Sequence, residues 1–319
     1  MQFRTQIPIS KSSATIDYNS KLLSFGSCFA ENMAEKFDYF KFQNQTNPFG
    51  IIFNPVSIEK ITARTVRKEL FTEKDVFFYN ERWHSFEVHS DLSNSDREEL
   101  LETLNKAIEE TNKQLQEVTH IIITYGTSWI YRNIESDEIV ANCHKVPQKQ
   151  FSKELLSVDV IQQSIQNTID VIQSINPKVN FIFTVSPVRH IKDGFAENQL
   201  SKSHLFSALH QVLKTHNSKL IPHNYFPSYE IMMDELRDYR FYAEDMLHPN
   251  QVAIDYIWNR FSENYISENS ISIMQEVDEI QKSLRHRSFN PDSEQHQKFL
   301  EKLQQKINLL SAKQPHIKF

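Results

Sequence analysis

The chain has 319 residues, 39% of them hydrophobic and 24% charged, with a formal net charge of -6 at pH 7. That length buries a sizeable core in one large domain or two modest ones, and an acidic balance without a basic cluster argues against a nucleic-acid surface and against anionic membranes. The 2 cysteines make no disulfide framework or C-x-x-C pair, and the 13 histidines show no H-E-x-x-H or other ligand spacing, so free thiols, no metal and no cofactor are expected.

The chain opens without an apolar stretch of signal-peptide length, and no window approaches about 18 apolar residues. This predicts a cytoplasmic protein that spans no membrane, unless a leader has been removed. The first strand is expected over Lys21–Phe25, ending at Gly26, with a helix over Glu31–Phe40 that turns Met33, Ala34 and Phe37 inward. A second strand is expected over Phe40–Gln45. Val76–Tyr79 and Arg82–Phe86 flank the polar pair Asn80-Glu81 and read as a hairpin. A helix over Asp96–Val118 leads to a strand over Ile121–Tyr125, and a second hairpin is expected over Trp129–Val140, turning at Glu135–Asp137. Helical spacing over Lys153–Ile175 precedes strands at Val179–Val185 and Lys219–Pro222. Pro249-Asn250 marks the entry of a helix carrying Val252, Ile254, Ile257 and Trp258.

Alternating β and α segments predict an α/β fold: a three-layer α/β/α sandwich around a parallel, flavodoxin-like sheet of about five strands. Ligands of such sheets bind beyond the carboxyl ends of the strands, where Ser27, Gly126 and Ser186 fall. Glycine occurs only 4 times, and Gly26, Gly50, Gly126 and Gly194 all lie at expected strand ends or turns. From Ser267 the composition shifts to Gln, Lys and Glu. Phe299, Leu300, Leu303, Ile307 and Leu310 recur at helical spacing within Pro291–Ser311. The chain thus divides into a domain of residues 1–266 and a helical extension of residues 267–319, which packs on the domain or joins two subunits as a homodimer.

Two short segments carry chemistry. Ser27, in Gly26-Ser27-Cys28-Phe29-Ala30, follows a buried strand and precedes a helix, a geometry that lifts a hydroxyl from a sheet edge toward a helix N-terminus. Asp245 and His248, in Asp245-Met246-Leu247-His248, are three apart, so the carboxylate can orient the imidazole while its other nitrogen serves as base. The structural alternatives are a serine that caps the helix and a histidine that caps the next one.

Together these segments resemble the GSCFA family, whose name is the pentapeptide at 26–30, and through it the SGNH/GDSL hydrolase superfamily. Asn47-Pro48-Phe49-Gly50, Asn142-Cys143-His144-Lys145 and Ser186-Pro187-Val188-Arg189-His190 also look like blocks of that family, and the likeness covers roughly residues 18–262. It implies a Ser27 nucleophile, a His248 base and an Asp245 orienter. Oxyanion donors would come from the N–H groups of Ser27 and Gly50 and from an asparagine of a third block. That block reads Gly126-Thr127-Ser128-Trp129 here. Either Ser128 or Thr127 substitutes, Asn142 supplies the amide, or the oxyanion hole is weaker. Cys28, at a helix start, is a second potential nucleophile that the family pattern turns into the core. Arg189 and His190 are candidates to bind substrate, with Arg189 able to clamp a carboxylate or phosphate or to serve as a surface ion pair. The aromatic hairpins form a lid or pack on the core.

The expected activity is hydrolysis of a carboxylic ester, an O-acetyl or other short acyl group on a small-molecule or carbohydrate-like substrate. The alternatives are acyl transfer by the same triad and a non-catalytic binding or scaffold protein that retains the fold.

Overall fold

A computed structural model of the chain describes residues 5–216 and 224–319. Strand β1 (Lys21–Gly26) is followed by helix α1 (Cys28–Tyr39) and strand β2 (Gln43–Thr46). Helix α2 (Pro55–Arg67), the hairpin β3 (Phe77–Tyr79) and β4 (Arg82–His84), and helix α3 (Arg97–Glu117) come next. Strands β5 (His120–Tyr125), β6 (Trp129–Asn133), β7 (Ile139–Val140) and β8 (Phe151–Leu155) precede helix α4 (Val158–Gln173) and strand β9 (Asn180–Val185). The chain continues through α5 (Phe195–His216), β10 (Asn224–Tyr225) and the single turn α6 (Ser228–Glu230), which runs into a π-helical turn over Ile231–Glu235. Helices α7 (Gln251–Tyr265), α8 (Glu268–Arg285) and α9 (Glu294–Lys313) close it.

The central sheet has 5 parallel strands in the order β10-β9-β5-β1-β2. Its inner strands β1, β5 and β9 are buried on both faces, and their side chains alternate between two cores with the period of two that a pleated strand imposes. Leu23, Phe25, Ile121, Ile123, Phe181 and Phe183 face a core shared with α2 to α5, whereas Leu22, Ile122 and Ile182 face one shared with α1, α7, α8 and α9. The order reverses direction between β1 and β5. In open α/β sheets that switch point opens the ligand crevice.

The hairpin at Asn80-Glu81 forms as expected from its sequence, with both turn residues at positive φ (49° and 62°), the conformation a two-residue turn between twisted strands requires. Two boundaries differ from the sequence reading, and one expected strand is not described. The second strand begins at Gln43 and not Phe40, because Phe40 caps α1, Lys41 turns at φ 63° and Phe42 is buried in the second core. The segment from Lys153 to Leu155 is strand and not helix: Phe151 to Leu155 pairs antiparallel with β6, and α4 starts only after Ser157 caps it. The expected strand at Lys219–Pro222 lies outside the described residues, and the fifth strand observed is Asn224–Tyr225.

The two C-terminal helices pack on the second core through Met274, Val277, Ile280, Leu303 and Leu310, with Ile317 behind them. The apolar spacing seen in the sequence is therefore used within the chain. Among the described residues no helix is long and apolar enough to cross a membrane.

Two substitutions test this packing. A Cβ on Gly26 would lie 2.3 Å from the Thr124 carbonyl oxygen at a φ of +146°, so Gly26→Ala is expected to cost more than about 2 kcal/mol in denaturant unfolding. Leu310 is 0% exposed, and Leu310→Ala is expected to cost about 2–5 kcal/mol by the same measurement. A cost near zero would detach α9 from the core.

Candidate active site

Ser27 sits immediately beyond β1, where its side chain caps α1 by accepting the Phe29 N–H at 3.3 Å. It is 2% exposed. Asn47, in the turn after β2, holds this bend from the other side: its side-chain oxygen accepts the Gly26 N–H at 2.9 Å, and its own N–H reaches the Ser24 carbonyl at 2.9 Å. The sequence named the block containing Asn47 but gave that residue no role.

Asp245 and His248 lie in a tight turn before α7. One Asp245 oxygen accepts the N–H groups of Leu247 and His248 at 2.9 and 3.0 Å, and the other meets His248 Nδ1 at 2.6 Å. Those two backbone donors, with the imidazole, hold the Asp245 pKa down at about 2. The carboxylate thus engages Nδ1 and leaves Nε2 as the ring nitrogen turned away from Asp245. Asn250 locks the turn onto α7 by accepting the Ala253 N–H at 3.1 Å while its Nδ2 donates to the Arg240 carbonyl at 2.7 Å. Among the described residues no hydrogen bond joins His248 to Ser27.

Arg189 connects this turn to the end of β9. Its N–H donates to the Leu247 carbonyl and its Nη1 to the Met246 carbonyl, both at 3.2 Å. His190, next along the chain, donates its backbone N–H to Asn198 Oδ1 at 2.8 Å and lies 5.6 Å, ring to ring, from Phe53. Burial, followed by the positive charge of Lys202 and the influence of His248, pushes the His190 imidazole down to about 3, so it is neutral at physiological pH.

The expected oxyanion donors are already engaged. Ser128 is the clearest correction: it is 0% exposed, its hydroxyl donates to the Ser201 carbonyl at 2.9 Å, and its N–H donates to Ser201 Oγ at 2.8 Å. Thr127 Oγ lies 2.8 Å from the same hydroxyl. The third block therefore closes onto α5 and not into the crevice. The Gly50 N–H donates to the Asn47 carbonyl at 2.8 Å, and the Ser27 N–H to the Thr124 carbonyl at 3.3 Å. Asn142 accepts the His144 N–H at 2.8 Å in the loop between β7 and β8, with no hydrogen bond to residues 26–28 among the described residues. Cys28 is a free thiol. Burial and Glu31 raise its pKa against the lowering pull of the helix N–H groups and Lys202, so the thiol is not activated.

Lys202 is the group that sequence reasoning underrated. It is 0% exposed on α5, and its ammonium donates to the carbonyls of Gly126 at 2.6 Å and Ser186 at 2.8 Å, the residues immediately beyond β5 and β9. Spacing carried no sign of this, since a lysine between Ser201 and Ser203 in a polar stretch of helix reads as solvent-facing. Burial pushes its pKa from 10.5 down to about 7, with the Cys28 thiol opposing weakly. His190 and the Tyr229 ring, 5.6 Å away, also face it.

The unfolded chain keeps this lysine protonated up to about pH 10, so between pH 7 and 10 it binds more protons than the folded chain, and stability rises with pH across that window. Urea unfolding of wild type and Lys202→Met at roughly pH 6.5, 8 and 9.5 is expected to show the wild type gaining on the variant as pH rises. A constant gap would mean that Lys202 carries the same charge folded and unfolded.

Residues 21–261 match the GSCFA family, and residues 277–319 match the GSCFA domain protein, C-terminal domain. No curated protein matches the chain. A solved structure of a carbohydrate esterase family 3 protein from Talaromyces cellulolyticus aligns over 80% of this chain and 98% of its own, at 8% identity and a TM-score of 0.40, a likeness too distant to assign chemistry. The first family match spans well over half of the chain, and the protein belongs to the GSCFA family.

Proposed function

We propose that the protein is a serine esterase that hydrolyses a carboxylic ester, an O-acetyl or other short acyl group on a carbohydrate-like body. The observation that carries this reading is the Asp245–His248 pair, whose 2.6 Å contact and two backbone donors hold the imidazole as an oriented base in a turn tied by Arg189 to the segment after β9. Ser27 attacks the ester carbonyl and passes its proton to His248 Nε2. His248 returns that proton to the leaving alkoxide, and water repeats the sequence on the acyl-enzyme. Positive potential at the N-terminus of α1, with the Lys202 charge behind it, takes the oxyanion role that Ser128 does not fill.

A second reading, a binding protein that keeps the fold without turnover, is favoured by one specific observation: the Ser27 hydroxyl is buried and its N–H is engaged by Thr124. Acyl transfer to a sugar acceptor uses the same groups and differs only in what replaces water.

Hydrolysis of p-nitrophenyl acetate and butyrate separates these readings. Ser27→Ala and His248→Ala are expected to lose kcat by about 10³-fold or more, and Asp245→Asn by about 10²-fold or more, with circular dichroism unchanged. Cys28→Ala is expected to stay within about threefold of wild type, since its thiol takes no part. Background activity in every protein, wild type included, would favour the binding protein.

A further inference from the structure

A cleft of about 340 Å³ lies between the start of α5 and the segment that follows the π-helical turn. It is lined by Arg189, Phe195, Asn198, Tyr229, Tyr239 and Tyr242, among others. It adjoins the proposed catalytic turn directly, because the Arg189 that lines it holds the carbonyls of Met246 and Leu247, the two residues before His248. Arg189 follows β9, two strands from the end of β1. At the usual spacing of neighbouring strands the β9 axis is offset about 10 Å from that of β1, and Arg189 stands beyond the end of β9.

The chemistry of the cleft is specific. The Arg189 guanidinium lies over the rings of Phe195 at 5.5 Å and Tyr242 at 5.6 Å, which hold its plane, and among the described residues no carboxylate pairs with it. The other charges at the rim are already matched: Arg237 with Asp234 at 3.5 Å, and Asp238 with Arg240 at 3.6 Å. Asn198 accepts the His190 N–H through Oδ1, which turns its amide N–H groups away from that bond. The mouth carries two large exposed rings, Phe195 at 67% and Tyr239 at 64%, in a chain whose net charge is -6. An unpaired planar cation walled by flat apolar faces suits a planar anion on a body with apolar faces of its own.

We propose that this cleft is a subsite for the carboxylate of an acidic sugar, so that the preferred ester is carried on a uronate-type carbohydrate. The inference rests on the esterase reading for the reaction at Ser27, but the subsite stands on its own residues. Arg189 receives the carboxylate through its free guanidinium edge, Asn198 adds an amide donor, and the pyranose lies against Phe195 and Tyr239.

The test uses the full chain and two substrates that differ by one charge, an O-acetylated disaccharide of glucuronic acid and its methyl ester. Wild type is expected to show a KM for the acid about tenfold below that for the methyl ester, a ratio that falls toward one in Arg189→Gln and recovers in part in Arg189→Lys. Because each ratio is taken within one protein, altered basal activity does not disturb it. Equal KM values in a wild type that cleaves p-nitrophenyl acetate would overturn the subsite and leave the esterase standing. If p-nitrophenyl acetate is not cleaved, the esterase reading fails and calorimetry with the deacetylated disaccharide decides the subsite alone. Binding that is present in wild type and lost in Arg189→Gln upholds it, and no binding to folded wild type overturns it.

Discussion

At Gly26 the chain passes so close to Thr124 that no side chain fits between them, and the rest of the candidate site is arranged around that approach. The strand must end there, because the register pairs Gly26 with Thr124 and the next residue already caps α1. Asn47 closes the bend from the β2 side, so three parallel strand ends are tied together at the switch point within a few residues. Such a bend places one hydroxyl at the head of a helix by covalent continuity, without any side chain having to find it.

The carbonyl ends of β5 and β9 present a second problem. Carbonyl groups at the end of a parallel sheet have no next strand residue to satisfy them, and here those of Gly126 and Ser186 converge on one buried ammonium. Among the described residues Lys202 has no carboxylate partner, so strand-end dipoles stabilise the charge and burial opposes it. The same charge helps to keep His190 neutral. The cation at the strand ends, Lys202, is thus fully buried, while that of Arg189 lies over two rings beside the cleft.

Much of this was legible in the sequence because it is local. The runs of Leu22 to Phe25, Ile121 to Tyr125 and Phe181 to Val185 are too apolar and too short for anything but buried strands, and their alternation with helical spacing leaves few topologies. The Asp245 turn was equally readable, since its bonds reach only two and three residues ahead. What misled the sequence reading was pairing at a distance. Phe151 to Leu155 became a strand because β6 was there to pair with it, and Ser128 turned away from the crevice because Ser201, more than seventy residues on, accepts from both its hydroxyl and its backbone N–H.

The sequence by itself determined the fold class, the position of Ser27 at a strand-to-helix bend and the internal geometry of the Asp245–His248 pair, because each depends on residues within one turn or one strand. Only the tertiary structure decided which donors are free, which charges are buried and which cleft adjoins the Asp245–His248 turn. A hydrogen bond can be given to one partner at a time, and the competing partners of Ser128, Lys202 and Arg189 lie on other segments, brought near only when the sheet and its helices pack.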